Sequence, residues 1–247
     1  VRFIDCNCAV GKPADTKHFL CSTQVLPLME RLEYCHVDRA ICWHYYSREG
    51  APWAGNEMAV SLAKKNTKMI PAMVLLPNAT KEIPDDEVVL EFAQKNAVGA
   101  IRIFPQSHMF STRNYASANI YLVARELHLP VMLDFSQTSA DSLYEMAREN
   151  LEVNFIITSI YYRNLRYLYP VLEQCPNVYL ETGFLKTLGS IESLCQRFGA
   201  HRLLYGSGAP EYDMGAAIGL ILSAAISTEE KNLIAGVNIL RLMGEKV

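Results

Sequence analysis

The chain of 247 residues carries seven cysteines but no CxxC pair. An odd number of thiols without metal or redox spacing argues against a disulfide framework. It favours small buried apolar side chains in a reduced compartment. There is no basic run, and the net charge is only −3. Nucleic acid and anionic membrane surfaces are therefore not expected partners. The apolar run from Met214 to Ile226 is too short to cross a bilayer and is interrupted by glycine. Arg2 and Asp5 break up the opening apolar stretch, so no signal peptide is read there. A soluble, cytoplasmic protein is expected. No GxGxxG follows the first apolar segment, which removes the usual dinucleotide fingerprint. Ser207 does not sit in a GxSxG elbow, so it is not read as a serine nucleophile.

What is present is an ordinary globular composition, 50% hydrophobic and 20% charged, with a regular alternation of short apolar runs and longer helical patterns. The runs Arg2–Cys6, Arg39–His44, Met69–Leu75, Gly99–Phe104, Pro130–Asp134, Val153–Ser159, Val178–Thr182 and Arg202–Tyr205 read as strands. Each is followed by a helical pattern, and an extra helix is expected from about Thr228 to Met243. Ser227 and Glu230 form a capping-box pattern before it, and Asp85 with Asp86 loads negative charge onto an earlier helix start. Strands alternating with helices imply parallel pairing with right-handed crossovers. Eight such units predict an α/β fold, a (β/α)8 barrel with an extra C-terminal helix, as one domain over residues 1–247.

Active sites in such barrels lie at the C-terminal ends of the strands. Side chains alternate along a strand, so inward residues follow from parity. Ile101 and Ile103 face the helices, which turns Arg102 inward; Val178 and Leu180 do the same for Glu181. The same reasoning directs Asn7, His44, Asp134 and Ser159 to the mouth. Arg102 paired with Asp134 or Glu181 could be an internal network serving order alone. It could equally be a small-molecule site, with Arg102 fixing an anion and a carboxylate or His44 moving a proton. The loop Gly206-Ser207-Gly208 reads as a plain βα connection or a weak phosphate cradle. Trp43, Tyr45, Tyr46 and Trp53 are expected to wall a pocket or pack the loop after the second strand. Tyr161 and Tyr162 are candidates for a lid, and Glu211, Tyr212 and Asp213 for the rim.

Several segments carry a family likeness. Phe3-Ile4-Asp5-Cys6-Asn7-Cys8-Ala9-Val10-Gly11 matches an "IDxHxHxG" opening, and Val37-Asp38-Arg39-Ala40 an "lGVdrav" stretch. Val98-Gly99-Ala100-Ile101-Arg102 and Leu129-Pro130-Val131-Met132-Leu133 fit the fourth and fifth strands. Arg202 to Pro210, Ser227-Thr228-Glu229-Glu230-Lys231 and Asn238 fit "RllfGSDfP…lseeekekil…N". On these residues the chain resembles the amidohydrolase superfamily, in its amidohydrolase-2 branch of metal-dependent TIM-barrel hydrolases and decarboxylases.

The resemblance implies a zinc-type centre whose ligand positions fall on Asn7, Ala9, Asp134, Ser159 and Gly208. Of these, Asp134 is a credible ligand and Asn7 a poor second, while no histidine of the chain occupies any of them. The expectation is a barrel without the family metal, with no cofactor. A hard cation on Asp134, Glu181 and Asp213 is the remaining metal option. Parity sends Cys6 and Cys8 toward the helices, away from the mouth. Two functions follow. One is a metal-free hydrolase or lyase acting on a small carboxylate-bearing molecule, with Asp134, Glu181 and His44 as catalytic residues and Arg102, Asn7, Ser159 and Ser207 binding substrate. The other is an inactive barrel kept for small-molecule binding or protein association. A homodimer is expected by family analogy alone.

Overall fold

In the computed structural model, which describes residues 1–14 and 25–245, eight parallel strands pair in sequence order. They are β1 (Phe3–Val10), β2 (Val37–His44), β3 (Met69–Val74), β4 (Ala100–Arg102), β5 (Val131–Asp134), β6 (Phe155–Thr158), β7 (Val178–Glu181) and β8 (Leu203–Leu204). The ring closes between β8 and β1. Cys6 N donates to Tyr205 O (3.1 Å), Gly208 N to Asn7 O (2.9 Å) and Ala9 N to Ala209 O (2.8 Å). The helices α1 (Val25–Tyr34), α2 (Tyr46–Glu49), α3 (Pro52–Ala63), α4 (Asp86–Lys95), α5 (Asn114–Leu127), α6 (Ala140–Glu149), α7 (Leu165–Gln174), α8 (Ser190–Phe198) and α9 (Met214–Ser223) follow the strands. The result is the expected TIM barrel. His18 and Cys21 lie outside the described residues.

Two apolar layers account for the closure. Ile4, Ile41, Ala72, Met132, Ile156 and Leu204 fill the bore. Their strand neighbours Ala40, Ile101, Val131, Ile157, Leu180 and Leu203 pack beneath the helices. Strands buried on both faces need near-continuous apolar sequence, which is what made them readable.

The expected terminal helix is divided into α10 (Thr228–Asn232), a π turn (Leu233–Val237) and α11 (Asn238–Leu242). Its capping box is present: Glu230 N donates to Ser227 Oγ and Ser227 N to Glu230 Oε2. The π turn has a purpose in the packing. Ile234 O accepts from Tyr205 N (2.8 Å), and a Cβ on Gly236 would lie 2.8 Å from Arg2 O. Glycine there lets the turn press against β1, while Ile239, Leu240 and Leu242 join the bore residues and stop one end of the barrel.

The parity assigned to the first strand needs correction. Asp5 and Cys8 pair with Ala40 and Cys42, so three steps on β1 match two on β2. This bulge re-aims the strand. Cys6 packs inside the bore, whereas Cys8 stays on the helix side.

Asp5 pins the seam. It is fully buried, and its Oδ1 accepts from Asn7 N and Ser207 N, both at 3.0 Å. Asp5→Ala strands one buried N–H on each side of the closure. It is expected to lower unfolding stability by roughly 2–5 kcal/mol, read as a fall in the urea midpoint. Asp5→Asn keeps an acceptor oxygen in place and should lose much less.

Candidate functional site at the barrel mouth

Arg102, the last residue of β4, extends its guanidinium across the mouth and is 2% exposed. Nη1 donates to Asn7 Oδ1 (3.0 Å) and Nη2 to Asp134 Oδ1 (2.7 Å). The rings of Trp43 and Phe104 lie 5.7 Å and 5.3 Å from its central carbon. The Nε–H is buried without a partner. Asp134 Oδ1 also accepts from Thr158 Oγ1 (2.6 Å) and Ser159 Oγ (2.8 Å). All three donors converge on that one oxygen, and the side chain keeps 17% exposure.

Ser159 links this network to Glu181. Its backbone is left-handed, with φ of 55°, an uncommon conformation for a residue with a Cβ. The turn aims Ser159 N at Glu181 Oε2 (2.9 Å) while Ser159 Oγ reaches Asp134. Glu181 Oε1 accepts from Gly183 N (2.6 Å).

The two carboxyl groups are driven apart. Burial pushes Asp134 up, but the Arg102 charge and hydrogen bonds from Thr158, Ser159 and Arg102 together outweigh it. They hold the group below the usual carboxylate range. Burial pushes Glu181 up to about 8, against the amide hydrogen bonds of Ser159 and Gly183 and with a further rise from nearby Asp5 and Asp134. Asp134 is ionised at neutrality and Glu181 keeps its proton.

Arg102, Asn7, Asp134, Ser159 and Glu181 are thus brought together, and two of the residues expected with them are not. His44 follows inward-facing Trp43 and precedes inward-facing Tyr45, so it alternates to the helix side. There it is half-buried and its Nδ1 accepts from Tyr46 N (3.1 Å). Ser207 likewise points out of the bore. It sits beside Asp5 and Cys8, and its Oγ accepts from Ala209 N (3.0 Å). Because the amides of Ser207, Gly208 and Ala209 are all engaged internally, the loop is no phosphate cradle. Asp213 caps α9 and pairs with Arg31, so it does not join Asp134 and Glu181.

Gly208 is held with φ of 73°, and a Cβ there would meet Phe184 at 2.8 Å and Tyr212 at 3.1 Å. Phe184 packs edge-on to Tyr212 (centroids 4.5 Å) and to Tyr161 (5.7 Å). These three rings span the loops after β6, β7 and β8. Tyr162 lies instead along α7, in a groove with Arg166 and Tyr169. Trp53 packs on Phe92 of α4, away from Trp43 and Tyr45. Glu211 accepts from Tyr45 OH (2.9 Å). Thr158, Phe104, Phe184 and Cys6 are mouth or bore residues that sequence reasoning missed, while Trp43, expected as a pocket wall, does face the bore. Thr158 had no signal, since Phe155, Ile156 and Ile157 before it are all apolar. In β2 every residue from Ala40 to Trp43 is apolar, and such a run carries no phase.

Fold and mouth together define an α/β barrel with a polar cup at its strand ends. The family profile for amidohydrolases matches residues 45–244, and the chain belongs to the amidohydrolase-2 family. Among solved structures, an uncharacterised TIM-barrel protein from Bordetella bronchiseptica superposes with a TM-score of 0.77 at 12% identity, covering 99% of this chain and 100% of that one. The 2,6-dihydroxybenzoate decarboxylase from Rhizobium gives 0.76 at 11% identity, with 98% of each chain covered. A 5-carboxyvanillate decarboxylase from Novosphingobium aromaticivorans, solved with manganese and a nitrobenzoic acid, gives 0.79 at 11% identity over 98% of this chain and 96% of that one. At such identities the likeness is one of fold. No functionally curated protein matches the sequence significantly. Among the described residues, no group of three or more His, Cys, Asp or Glu is arranged to hold a metal ion, and no helix is long and apolar enough to cross a membrane.

Glu181 carries a pH-dependent stability. In the folded chain its proton is held up to about pH 8, against 4.5 as the ordinary value. Between these values the unfolded chain releases a proton that the folded chain retains. The stabilisation is complete below the ordinary value and is lost as pH rises toward about 8, with a slope of at most about 1.4 kcal/mol per pH unit. Thermal melts from pH 5 to 8 should show the wild type losing stability relative to Glu181→Gln, whose offset from the lost amide hydrogen bond is constant with pH.

Proposed function

We propose that the barrel mouth is a small-molecule site that takes a carboxylate-bearing substrate and runs the lyase or hydrolase chemistry of its family without a metal at the family positions. The observation that carries this reading is the pair of carboxyl groups joined by Ser159, one ionised and one protonated at neutrality. Titratable neighbours whose environments separate their proton affinities in this way are the usual mark of acid and base roles. Arg102 supplies the fixed positive charge for the substrate carboxylate, Asp134 holds that guanidinium through one oxygen, and Asn7 and Ser159 orient them. Glu181 is the proton store behind Asp134. His44 and Ser207 have no part in it.

The donor set does not fit a divalent ion. Asn7 Oδ1 and Asp134 Oδ1 are both taken by Arg102, and the Ser159 hydroxyl is donated to Asp134. Ala9 and Gly208 offer no side-chain donor. No step is therefore routed through a metal. Lyase chemistry is better supported than hydrolysis. A carboxylate held below its usual range is a poor base for activating water, whereas cleaving the bond from a carbon to a carboxylate releases CO2 and consumes one proton, which Glu181 holds, with no activated water. The decarboxylases of like fold act on hydroxylated aromatic acids, which makes such acids the first substrates to assay.

Asp134→Asn should abolish turnover across a panel of hydroxybenzoates, esters, lactones and amides, with circular dichroism showing a folded barrel. Turnover equal to wild type would remove Asp134 from the mechanism. A second reading, an inactive barrel that binds a small molecule or a protein, draws on the full enclosure of Glu181 and the internal pairing of Arg102. Its outcome is a wild-type chain that turns over nothing on the panel yet shows a saturable ligand-dependent rise in melting temperature.

A further inference from the structure

We propose that the Arg102 guanidinium is the resident cation of this barrel, held by the strand-end oxygens in the place of a metal ion and excluding one by charge and by volume. The inference deepens the metal-free reading of the mouth and rests on it. Arg102 is rooted in β4, and its two terminal nitrogens reach Asn7 at β1 and Asp134 at β5. In a ring ordered β1 to β8, those two strands stand opposite each other, so the planar group spans the bore. Every atom it bonds is an oxygen acceptor, one carboxylate and one amide.

Two aromatic faces complete the surroundings, since Trp43 and Phe104 turn electron-rich rings toward the guanidinium carbon. Asp134 Oδ1 takes two hydroxyl hydrogens besides the Arg102 donor, which leaves that oxygen no lone pair for a second cation. Charge points the same way. Asp134 is already the counter-charge of Arg102, and Glu181 has each oxygen on a backbone amide, so a divalent ion entering the cup would meet only the second oxygen of Asp134. Unlike a bound ion, this cation is covalently part of the chain, so chelation does not remove it.

The test reads binding and stability rather than turnover, so an inactive protein leaves it standing. Zinc or manganese added to the wild type should not change its melting temperature and should show no Asp134-dependent heat by calorimetry. Arg102→Ala opens a cation-sized gap facing Asn7 and Asp134. Methylguanidinium should restore part of the lost melting temperature, saturably, and the double variant Arg102→Ala, Asp134→Asn should lose that rescue. Should the alanine variant not fold, Arg102→Lys, which keeps the charge, must retain more stability than Arg102→Met, which keeps only the bulk. Asp134-dependent metal binding by the wild type overturns the inference. So does a folded alanine variant indifferent to methylguanidinium, or equal losses for Lys and Met.

Discussion

An arginine that is 2% exposed at the mouth of an apolar barrel is the constraint from which the rest of the mouth follows. Arginine cannot shed its proton, so burying it demands a counter-charge and acceptors within hydrogen-bonding reach. Asp134 provides the charge, and its ionisation is in turn secured by Arg102, Thr158 and Ser159. Once that pair is formed, a second anion in the same cavity has no cation to meet. Glu181 is fully buried two strands away and accepts only backbone amides, so holding a proton is its cheaper state. The opposite protonation of the two carboxyls is thus a consequence of one cation and one well-placed anion, not two independent facts.

That arrangement depends on the first strand being irregular. A regular β1 would turn Cys6 and Asn7 to opposite faces. The bulge between Asp5 and Cys8 lets Cys6 pack in the bore while Asn7 Oδ1 still reaches Arg102. Asp5 stabilises the same irregularity from outside by accepting Asn7 N, and it ties the bulge to β8 through Ser207 N. Barrel closure and the positioning of the guanidinium's amide partner are therefore one local structure. Mutational effects at Asp5, Asn7 and Ser207 should be strongly non-additive for that reason.

The parts of this that were legible in the sequence share a physical property, and so do the parts that were not. β4 and β7 could be phased because a single polar residue, Arg102 or Glu181, alternates with branched apolar ones that must face helices. β2 is apolar from Ala40 to Trp43, so alternation offered no phase and His44 was given the face that Trp43 and Tyr45 hold. β1 defeated parity because a bulge shifts the count, and nothing in Cys6-Asn7-Cys8 announces one. Ser207 misled differently: its position after β8 is that of a mouth residue, but its amide goes to Asp5 and its hydroxyl turns outward to Cys8 and the Ala209 amide. The division of the terminal helix by a π turn was also invisible, because its cause is close packing on β1 at Gly236.

The distribution of irregularity along the barrel axis is itself informative. The end stopped by Ile239, Leu240 and Leu242 has irregular backbone of its own: the π turn, the register shift between Phe3 and Ile4, and the left-handed residues His36, Ala97 and His128 shortly before β2, β4 and β5. At the other end lie the β1 bulge, the left-handed Ser159, Gly208 under an aromatic pair, and a buried ion pair with an unpartnered Nε–H. Left-handed backbone at a residue with a Cβ costs of order 1 kcal/mol or more, and it persists only where surrounding contacts over-determine it. Ser159 meets that condition, with its amide on Glu181 and its hydroxyl on Asp134. The two ends therefore differ in what their irregular backbone holds: helix ends such as that at His128 on one side, and two carboxyl groups on the other.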